Sequence, residues 1–225
     1  RLGVVLDASS GEIQRWLYRE QDEIKKLAVG EGFKLTGREV VLEAPITEEK
    51  IRSIRAGDVV VVNGLVHTGR DAIHHHLLHH DAPVDLRGGI IYHCGPVIHE
   101  GRIIAAGPTT SARMNALSGF LLEQGVRALI GKGGMSRQVA DQMKGRAVYL
   151  AFTGGCAAPA ASRMTLRRVF FEDLGMAEAV YEIDLDHLPL VVGIDAAGND
   201  LFEGVNRNAQ ARFRKRFSLS REAVP

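Results

Sequence analysis

Two segments of this sequence each connect an apolar run to a helix-like pattern through a tight turn that contains glycine. The first turn is GPTTSARMN at residues 107–115, after the apolar run 103–106. The second is GKGGM at residues 131–135, after the apolar run 126–130. A strand, a tight turn and a helix, found twice, predict an α/β core with parallel strands. Such turns present hydroxyls and backbone N–H groups at a helix N-terminus, which attracts anions.

Hydrophobic periodicity predicts further elements around this core. Residues 9–27 begin with serines and carry apolar side chains at helical spacing, so they are predicted to form an amphipathic helix. Other helices are predicted at residues 47–55, 69–80, 111–124, 136–143 and 205–217. Strands are predicted at residues 58–63, 89–92, 102–106, 126–130, 147–152, 179–183 and 190–194. The β-rich segments that flank the core predict additional sheet.

The composition is that of a globular protein and narrows the choice of partners. The 225 residues are 45% hydrophobic and 24% charged, enough to bury a full core in one or two domains. The net charge of +1 gives no bulk attraction to nucleic acid or to a membrane surface. No apolar run approaches the roughly 18 residues that cross a bilayer, and we see no signal peptide. Two cysteines fit a reducing compartment, so we expect a cytoplasmic protein without nucleic-acid or membrane partners.

Three more motifs accompany the two turns. They are Gly69-Arg70-Asp71 with His74 three residues later, Tyr92-His93-Cys94-Gly95-Pro96, and Thr153-Gly154-Gly155-Cys156-Ala157-Ala158. The five motifs lie between roughly residues 43 and 217. Together, and in their order along the chain, they resemble the class I fumarate hydratase beta subunit family, which includes the L-tartrate dehydratase beta subunit. The resemblance implies a swivelling β/β/α fold with a mixed sheet and flanking helices at residues 45–225. Residues 1–44 would then be an N-terminal helical extension.

The resemblance also implies a reaction and a partner. Members of this family are hydro-lyases, and the main expectation is the reversible hydration of fumarate to (S)-malate. In the family, three cysteines of the other subunit hold a [4Fe–4S] cluster. We therefore expect an alpha subunit that carries the cluster and most acid–base groups, an active site shared with it, and a hetero-oligomer with symmetric pairing. Cys94 and Cys156 lack the spacing to hold a cluster, and we expect both to be small buried apolar side chains.

The candidate substrate-binding residues are cations and a hydroxyl near the strand ends. Arg70 and Arg113 carry planar guanidinium groups, which bind carboxylates through paired hydrogen bonds, and Lys132 offers a point charge. A single arginine at a helix start is usually a surface residue. The neighbouring GPTT turn and the family resemblance favour substrate binding for Arg113 and, by the same argument, for Arg70 and Lys132. Thr110 is a further candidate for substrate binding, together with these cations.

Three residues are candidates for catalysis: Thr109, Lys132 and His74. The resemblance implies that Thr109 contacts the substrate and takes part in proton transfer, helped by nearby helix N–H groups and by Lys132. The alternative is that one of the two threonines is only a helix N-cap. His74 either acts directly or belongs to a structural hydrogen-bonding pair. Asp71, placed with the substrate-binding residues, could orient His74 or pair with Arg70.

A histidine run follows His74 and departs from the family pattern, which has basic residues there. His75 with His79, and His76 with His80, are four residues apart and could chelate a metal if they were helical. No cysteine or carboxylate completes a ligand set, so we favour a solvated or interface surface and predict no metal site. A nucleophilic cysteine paired with His93 is disfavoured, because adjacent strand residues face opposite sides.

Three alternatives to the fumarate reaction stay open. The nearest is an L(+)-tartrate dehydratase beta subunit, which differs by contacts to one extra hydroxyl. A second is a non-catalytic subunit that binds a dicarboxylate. A third is a self-contained thiol or metal enzyme that uses Cys156 or the histidine run, which would be active without a partner.

Overall fold

The computed structural model describes residues 4–6, 10, 13–16 and 36–217, and the chain divides into two compact units, Arg1–Gly37 and Arg38–Pro225. In the first unit, β1 (Val4–Leu6) pairs antiparallel with β2 (Ile13–Trp16). The predicted helix at 9–27 is therefore wrong for Ile13–Trp16; Ser10 lies in a turn and the rest of that range falls outside the described residues. For Ile13–Trp16, backbone pairing with Val4–Leu6 outweighs the helical spacing of the side chains.

The second unit contains nine strands and six α-helices among the described residues. The strands are β3 (Val40–Glu43), β4 (Val59–Thr68), β5 (Ile90–Tyr92), β6 (Val97–His99), β7 (Arg102–Ala105), β8 (Ala128–Gly131), β9 (Val148–Ala151), β10 (Met164–Phe170) and β11 (Val180–Ile194). The α-helices are α1 (Glu48–Ser53), α2 (Asp71–His76), α3 (Ser118–Glu123), α4 (Arg137–Met143), α5 (Ala157–Ala161) and α6 (Leu201–Phe217). Short 3-10 helices occupy Ser111–Met114 and Glu172–Leu174. None of the helices described is both long enough and apolar enough to cross a bilayer.

Seven of these strands form one mixed sheet. Strands β3, β4, β5, β8 and β9 are parallel neighbours, as the alternation of strands and helices predicted. The long strand β11 runs antiparallel to β9, to β4 and to β10. Five strands (β4, β5, β8, β9 and β11) consequently form a closed circuit of pairings, and β6 and β7 make a separate hairpin. The α/β class and the mixed sheet are confirmed.

Alternate residues of the parallel strands face two different cores. Ile90, Ile130 and Leu150 belong to a core that also contains side chains of β4 and β11. The intervening residues Leu129 and Tyr149 belong to a second core, which α2, α3 and α4 cover. The parallel sheet therefore lies between a β layer and a helical layer.

Strand β11 was predicted as two strands but is continuous. A bulge at Asp186 and His187 shifts its register against β4, and His187 adopts a positive φ of 52°. The inward-facing positions change there from Leu185 to Leu188, so both halves of the strand keep their apolar side chains in the same core. Because the bulge changes which alternate residues face inward, hydrophobic periodicity alone predicts two separate strands here.

Two helix predictions are also corrected. The predicted helix at 111–124 is a 3-10 helix followed by α3, because the Ser111 N–H donates to the Lys132 carbonyl and ties this segment to the sheet. The predicted helix at 69–80 ends at His76, after which Leu78 and His79 make tighter i→i−3 bonds.

Strand β3 lies within residues 1–44 yet pairs with β4, and the division between units falls at Gly37.

Candidate active site

The motifs lie at the carboxyl ends of four neighbouring parallel strands. Gly69-Arg70-Asp71 follows β4, His93-Cys94-Gly95-Pro96 follows β5, Gly131-Lys132-Gly133-Gly134 ends β8, and Thr153-Gly154-Gly155-Cys156 follows β9. The strands end in register, because Thr68 pairs with Tyr92 and Tyr92 with Ile130. Ligands of α/β proteins bind at this edge of the sheet.

The GPTTS turn crosses this edge and joins two of the strand ends. The Thr109 N–H donates to the His93 carbonyl at 2.7 Å, and the Lys132 N–H donates to the Thr109 carbonyl at 3.0 Å. The Ser111 N–H returns to the Lys132 carbonyl at 3.1 Å. The two turns identified in the sequence are therefore bonded to each other.

Arg113 forms an ion pair with Asp71 across this edge. Its Nε lies 3.3 Å from Asp71 Oδ1, its Nη2 contacts Asp71 Oδ2, and its Nη1 donates to Thr109 Oγ1 at 3.4 Å. Asp71 thus pairs with Arg113 and not with Arg70 or His74, which corrects both roles considered for it. The Arg113 side chain remains 47% exposed, so a ligand can reach it.

Arg70 is held by a second carboxylate that sequence reasoning missed. Its Nε lies 3.4 Å from Glu178 Oε1, and its Nη1 donates to the Ala177 carbonyl at 3.4 Å. Glu178 also accepts the Ala72 N–H at the start of α2. A Cβ at Gly95 would lie 2.8 Å from Arg70 Nη1 and 2.5 Å from the Ala177 carbonyl. Only glycine at position 95 leaves room for this guanidinium.

Lys132 and the two threonines complete the group. Lys132 is exposed, and no carboxylate of the described chain pairs with its ammonium group. Thr109 is half-buried against Arg113, whereas Thr110 is exposed. Thr110 stands at the N-cap position of the 3-10 helix, but its side chain makes no capping hydrogen bond. Neither threonine side chain therefore caps a helix.

His74 is buried and bonded to the backbone of Arg70. Its Nδ1 lies 2.6 Å from the Arg70 carbonyl, and since a carbonyl only accepts, Nδ1 carries the proton. Its Nε2 is buried without a hydrogen-bond partner among the residues described. Burial lowers the pKa of His74, so the ring is neutral. Its hydrogen bond is to Arg70 rather than to Asp71.

The sequence interpretation also missed the group behind the turns. His93 Nδ1 lies 2.8 Å from Ser111 Oγ, and the Tyr149 hydroxyl lies 3.0 Å from the same oxygen. His93 and Ser111 are fully buried. The sequence feature that points to this group is Gly131. The Ser111 side chain packs against the end of β8 and leaves no room for a Cβ at that position.

The two cysteines behave differently. Cys94 is buried as predicted, and burial raises the pKa of its thiol to about 12. Cys156 is half-exposed, against prediction, because it lies at the start of α5, where its Sγ contacts the Thr153 carbonyl at 2.6 Å. Within the described ranges, no three His, Cys, Asp or Glu side chains are grouped to hold a metal.

The histidines at positions 74–76, 79 and 80 do not all lie on one helix. His76 and His80 stack with ring centroids 4.0 Å apart, and His76 also contacts Phe171. His79 and His80 lie beyond the end of α2 and are exposed.

Comparison with known proteins shows the family. A family model described as the fumarase C-terminus matches residues 11–205, so the likeness begins well before the first motif. A Geobacillus stearothermophilus protein provisionally named class I fumarate hydratase is 40% identical over 223 residues, covering 93% of this chain and 43% of that protein. A Methanocaldococcus jannaschii protein provisionally named L(+)-tartrate dehydratase subunit beta is 34% identical over 190 residues, covering 77% of this chain and 96% of that protein.

A third relative comes from Escherichia coli K12. Its L(+)-tartrate dehydratase subunit beta is 35% identical over 171 residues, covering 72% of this chain and 85% of that protein. This chain therefore spans less than half of the first relative and most of the other two.

Proposed function

Because this chain belongs to the fumarase C-terminus family, we propose that it is the beta-type part of an iron–sulfur hydro-lyase that interconverts fumarate and (S)-malate. The observation that carries the proposal is that Arg70 and Lys132 follow the ends of the parallel strands β4 and β8, while the GPTTS turn brings Arg113 to the same edge of the sheet. The fold is assigned to the swivelling β/β/α class in the same proposal, supported by its two β layers and one helical layer. A cytoplasmic location is supported by two free thiols.

The two arginines are oriented by carboxylates. Asp71 contacts two nitrogens of Arg113, and Glu178 contacts Nε of Arg70. The hydrogen bonds of Arg113 direct its guanidinium, so little ordering is needed when a substrate carboxylate binds. Arg70 Nε forms an ion pair with Glu178 without a hydrogen bond, and its Nη1 donates to the Ala177 carbonyl. Two such groups on separate segments at the same edge could each bind one of the two carboxylates of fumarate.

The charges of the site favour a shared active site. Three cations (Arg70, Arg113 and Lys132) and two carboxylates (Asp71 and Glu178) leave one formal positive charge, whereas a dicarboxylate brings two negative ones. A water-excluded site binds charge well only when it is balanced. The missing positive charge would come from an alpha subunit that covers this edge, in a hetero-oligomer with symmetric pairing.

The cysteines of this chain do not fit an iron–sulfur cluster. Cys94 is buried with a raised pKa, and one further cysteine cannot complete a set of thiolate ligands. A [4Fe–4S] cluster held by the alpha subunit would supply Lewis acid chemistry at the substrate hydroxyl. The residues of this chain bind and orient the carboxylates.

Thr109 is the residue of this chain best placed to exchange a proton with the substrate. Its hydroxyl accepts a hydrogen bond from Arg113 Nη1, and a nearby cation lowers the cost of negative charge on that oxygen. Lys132, whose backbone is bonded to Thr109, adds a second cation and could donate a proton. For His74, burial and the bond to the Arg70 carbonyl favour a role in holding Arg70 over direct proton transfer.

The test is an anaerobic assay of the full chain assembled with its alpha-type partner, following the loss of fumarate absorbance. Arg113→Ala should reduce kcat/KM by about 100-fold or more, the size expected for losing a charged hydrogen-bonding group at the reacting site. Arg207→Ala is the matched control, since Arg207 is exposed and pairs with Glu203 one turn earlier on α6. Turnover by this chain alone in air would favour a self-contained enzyme instead.

L(+)-tartrate dehydration is the second candidate. The two relatives named as tartrate dehydratase beta subunits are matched over 96% and 85% of their length. Measuring kcat/KM for fumarate and L(+)-tartrate side by side on the same complex separates the two reactions. A complex that binds both dicarboxylates and converts neither would show a non-catalytic binding subunit.

A further inference from the structure

We propose that His93, Ser111 and Tyr149 are positioning residues that hold the Lys132 turn through a hydrogen-bond chain running in one direction. The chain begins at the His93 ring and ends at the carbonyl of Gly133, the residue that follows Lys132. The proposal rests on the proposed function in one respect, namely that Lys132 binds a substrate carboxylate.

Three contacts make up this chain. His93 Nδ1 lies 2.8 Å from Ser111 Oγ, Ser111 Oγ lies 3.0 Å from the Tyr149 hydroxyl, and that hydroxyl lies 2.8 Å from the Gly133 carbonyl. The residues come from three parts of the fold: the end of β5, the 3-10 helix after GPTT, and the middle of β9. The chain therefore links three segments around the turn after β8.

Only one arrangement of protons makes all three contacts hydrogen bonds. The Gly133 carbonyl can only accept, so the Tyr149 hydroxyl donates to it. Tyr149 has no second proton, so the Ser111 hydroxyl must donate to the Tyr149 oxygen. Ser111 then accepts from His93, whose proton must reside on Nδ1.

The surroundings of His93 Nε2 are consistent with this direction of the hydrogen bonds. Nε2 is fully buried and has no hydrogen-bond partner in the part of the chain that the structure describes. With the proton on Nδ1, this ring has no N–H that is buried without an acceptor, in keeping with the rarity of such N–H groups. Burial also lowers the pKa of His93 well below its usual value, and the ring stays neutral.

The packing leaves the turn little freedom. A Cβ at Gly131 would lie 1.8 Å from Ser111 Oγ, so glycine is required for the serine to reach its partners. The peptide groups of Lys132 are bonded to Thr109 on one side and to Ser111 on the other. With Gly133 held by Tyr149, the backbone on both sides of the Lys132 side chain is fixed.

The first experiment determines the tautomer of His93. The full chain, with 15N-labelled histidine, is studied by long-range 1H–15N NMR, and His93→Gln identifies the His93 signals. We expect a protonated Nδ1 and an unprotonated Nε2. In Tyr149→Phe the Ser111 hydroxyl loses its acceptor, so the hydrogen bond that it accepts from His93 changes and the Nδ1 signal should shift. An Nε2–H tautomer in the unmodified chain, or an Nδ1 signal that is identical in Tyr149→Phe, would overturn the proposal.

The second experiment measures the effect on the site in the assembled complex. Ser111→Ala should raise KM by about tenfold while kcat changes less, because a displaced Lys132 weakens ground-state and transition-state binding alike. Ser118→Ala is the matched control: Ser118 is equally buried and donates to the Met114 carbonyl, outside the chain. An equal loss in both variants would indicate ordinary destabilisation and contradict the positioning role.

The two experiments separate this inference from the proposed function. The tautomer is measured without turnover, so a complex inactive on fumarate and tartrate leaves that result standing while the proposed reaction fails. In such a complex the affinity for succinate, measured by calorimetry, replaces KM. We expect it to weaken in Ser111→Ala and not in Ser118→Ala, and equal affinity in both would again contradict the positioning role.

Discussion

Arg113 divides its guanidinium between a carboxylate and a hydroxyl. Two of its nitrogens face Asp71, and the third donates to Thr109 Oγ1. The same group can therefore orient a substrate carboxylate and favour negative charge on Thr109. These two effects differ in kinetics, since the first contributes to binding and the second to turnover.

Thr109→Val should lower turnover much more than binding. Valine keeps the shape of the side chain but removes the oxygen that Arg113 contacts, and loss of a positioned proton-transfer group typically costs 10²–10⁴-fold in rate. We expect kcat to fall by about 100-fold or more with KM changed by less than about threefold. Thr165→Val is the matched control, because Thr165 is an exposed threonine on β10 and is not among the residues of the site. Normal turnover by Thr109→Val would assign the residue a purely structural role.

Sequence pattern predicts the cations of the site better than their counter-ions. Arg113 and Lys132 each follow a predicted strand that ends in a glycine-containing turn, so the sequence alone predicts a shared site for them. Asp71 lies 42 residues from Arg113, and Glu178 lies more than a hundred from Arg70. Such ion pairs depend on which loops the folded sheet brings together. Local hydrophobic periodicity does not predict contacts between residues so far apart in the sequence.

At the scale of elements, β11 ties two other strands together through a buried carboxylate. Glu182 lies on β11 and is 5% exposed; it accepts from Arg168 on β10 and contacts His67 Nε2 on β4 at 3.3 Å. The hydrogen bond from Arg168, followed by that from His67, holds the pKa of Glu182 below its usual value. The charge of one residue thus contributes to the pairing of three strands.

Glu182→Gln should destabilise the fold in a pH-dependent way. A carboxyl whose folded pKa is lowered stabilises the protein above its unfolded pKa of about 4.3, and that stability is lost as pH falls through the folded pKa. Because the Arg168 side chain is 62% exposed, we expect only about 1 kcal/mol at neutral pH. Denaturant unfolding from neutral pH down to about pH 3 should show the difference between the two proteins shrinking below pH 4.3. A difference that is constant with pH would remove the ionised carboxylate from the explanation.

The elements that sequence predicted well have local causes. Helix α1 begins after Thr47, whose Oγ1 accepts the Lys50 N–H, and this capping pattern is visible in the sequence. The missed strand β10 has charged residues among its apolar ones and is stabilised by its pairing with β11. The 3-10 helix at Ser111–Met114 forms because the preceding turn is bonded to Lys132. Tertiary contacts therefore determine both β10 and this 3-10 helix.

At the scale of the whole molecule, the site is supported by strands that are bonded on both sides. Strands β5, β8 and β9 each have two neighbours in the closed circuit, whereas β6 and β7 pair only with each other. The loops that carry Arg70 and Lys132 thus emerge from the strands of this circuit. Arg113 follows the β6–β7 hairpin instead, and the hydrogen bonds of the GPTTS turn to His93 and Lys132 tie its segment to the sheet.

Native-state hydrogen exchange should show this difference directly. Backbone amides of Ile91, Leu129 and Tyr149 should exchange at rates set by global unfolding, because opening any of these strands breaks pairings on two sides. Amides of the β6–β7 hairpin should exchange faster, at free energies lower than global unfolding by about 1–3 kcal/mol. Equal protection of Ile103 in the hairpin and Leu129 in the sheet would show that the hairpin unfolds only with the sheet.

The closed circuit also sets an order in which the chain can fold during synthesis. Strand β4 pairs with β11 at positions 115 residues apart, between His67 and Glu182. A ribosome adds roughly 5–20 residues per second, so one side of β4 stays uncovered for several seconds after that strand emerges. During this interval its unpaired N–H and C=O groups can bond to another nascent chain. Polysomes with closely spaced ribosomes would therefore be the place where this protein is most exposed to misassembly, and the arrival of β11 ends that period.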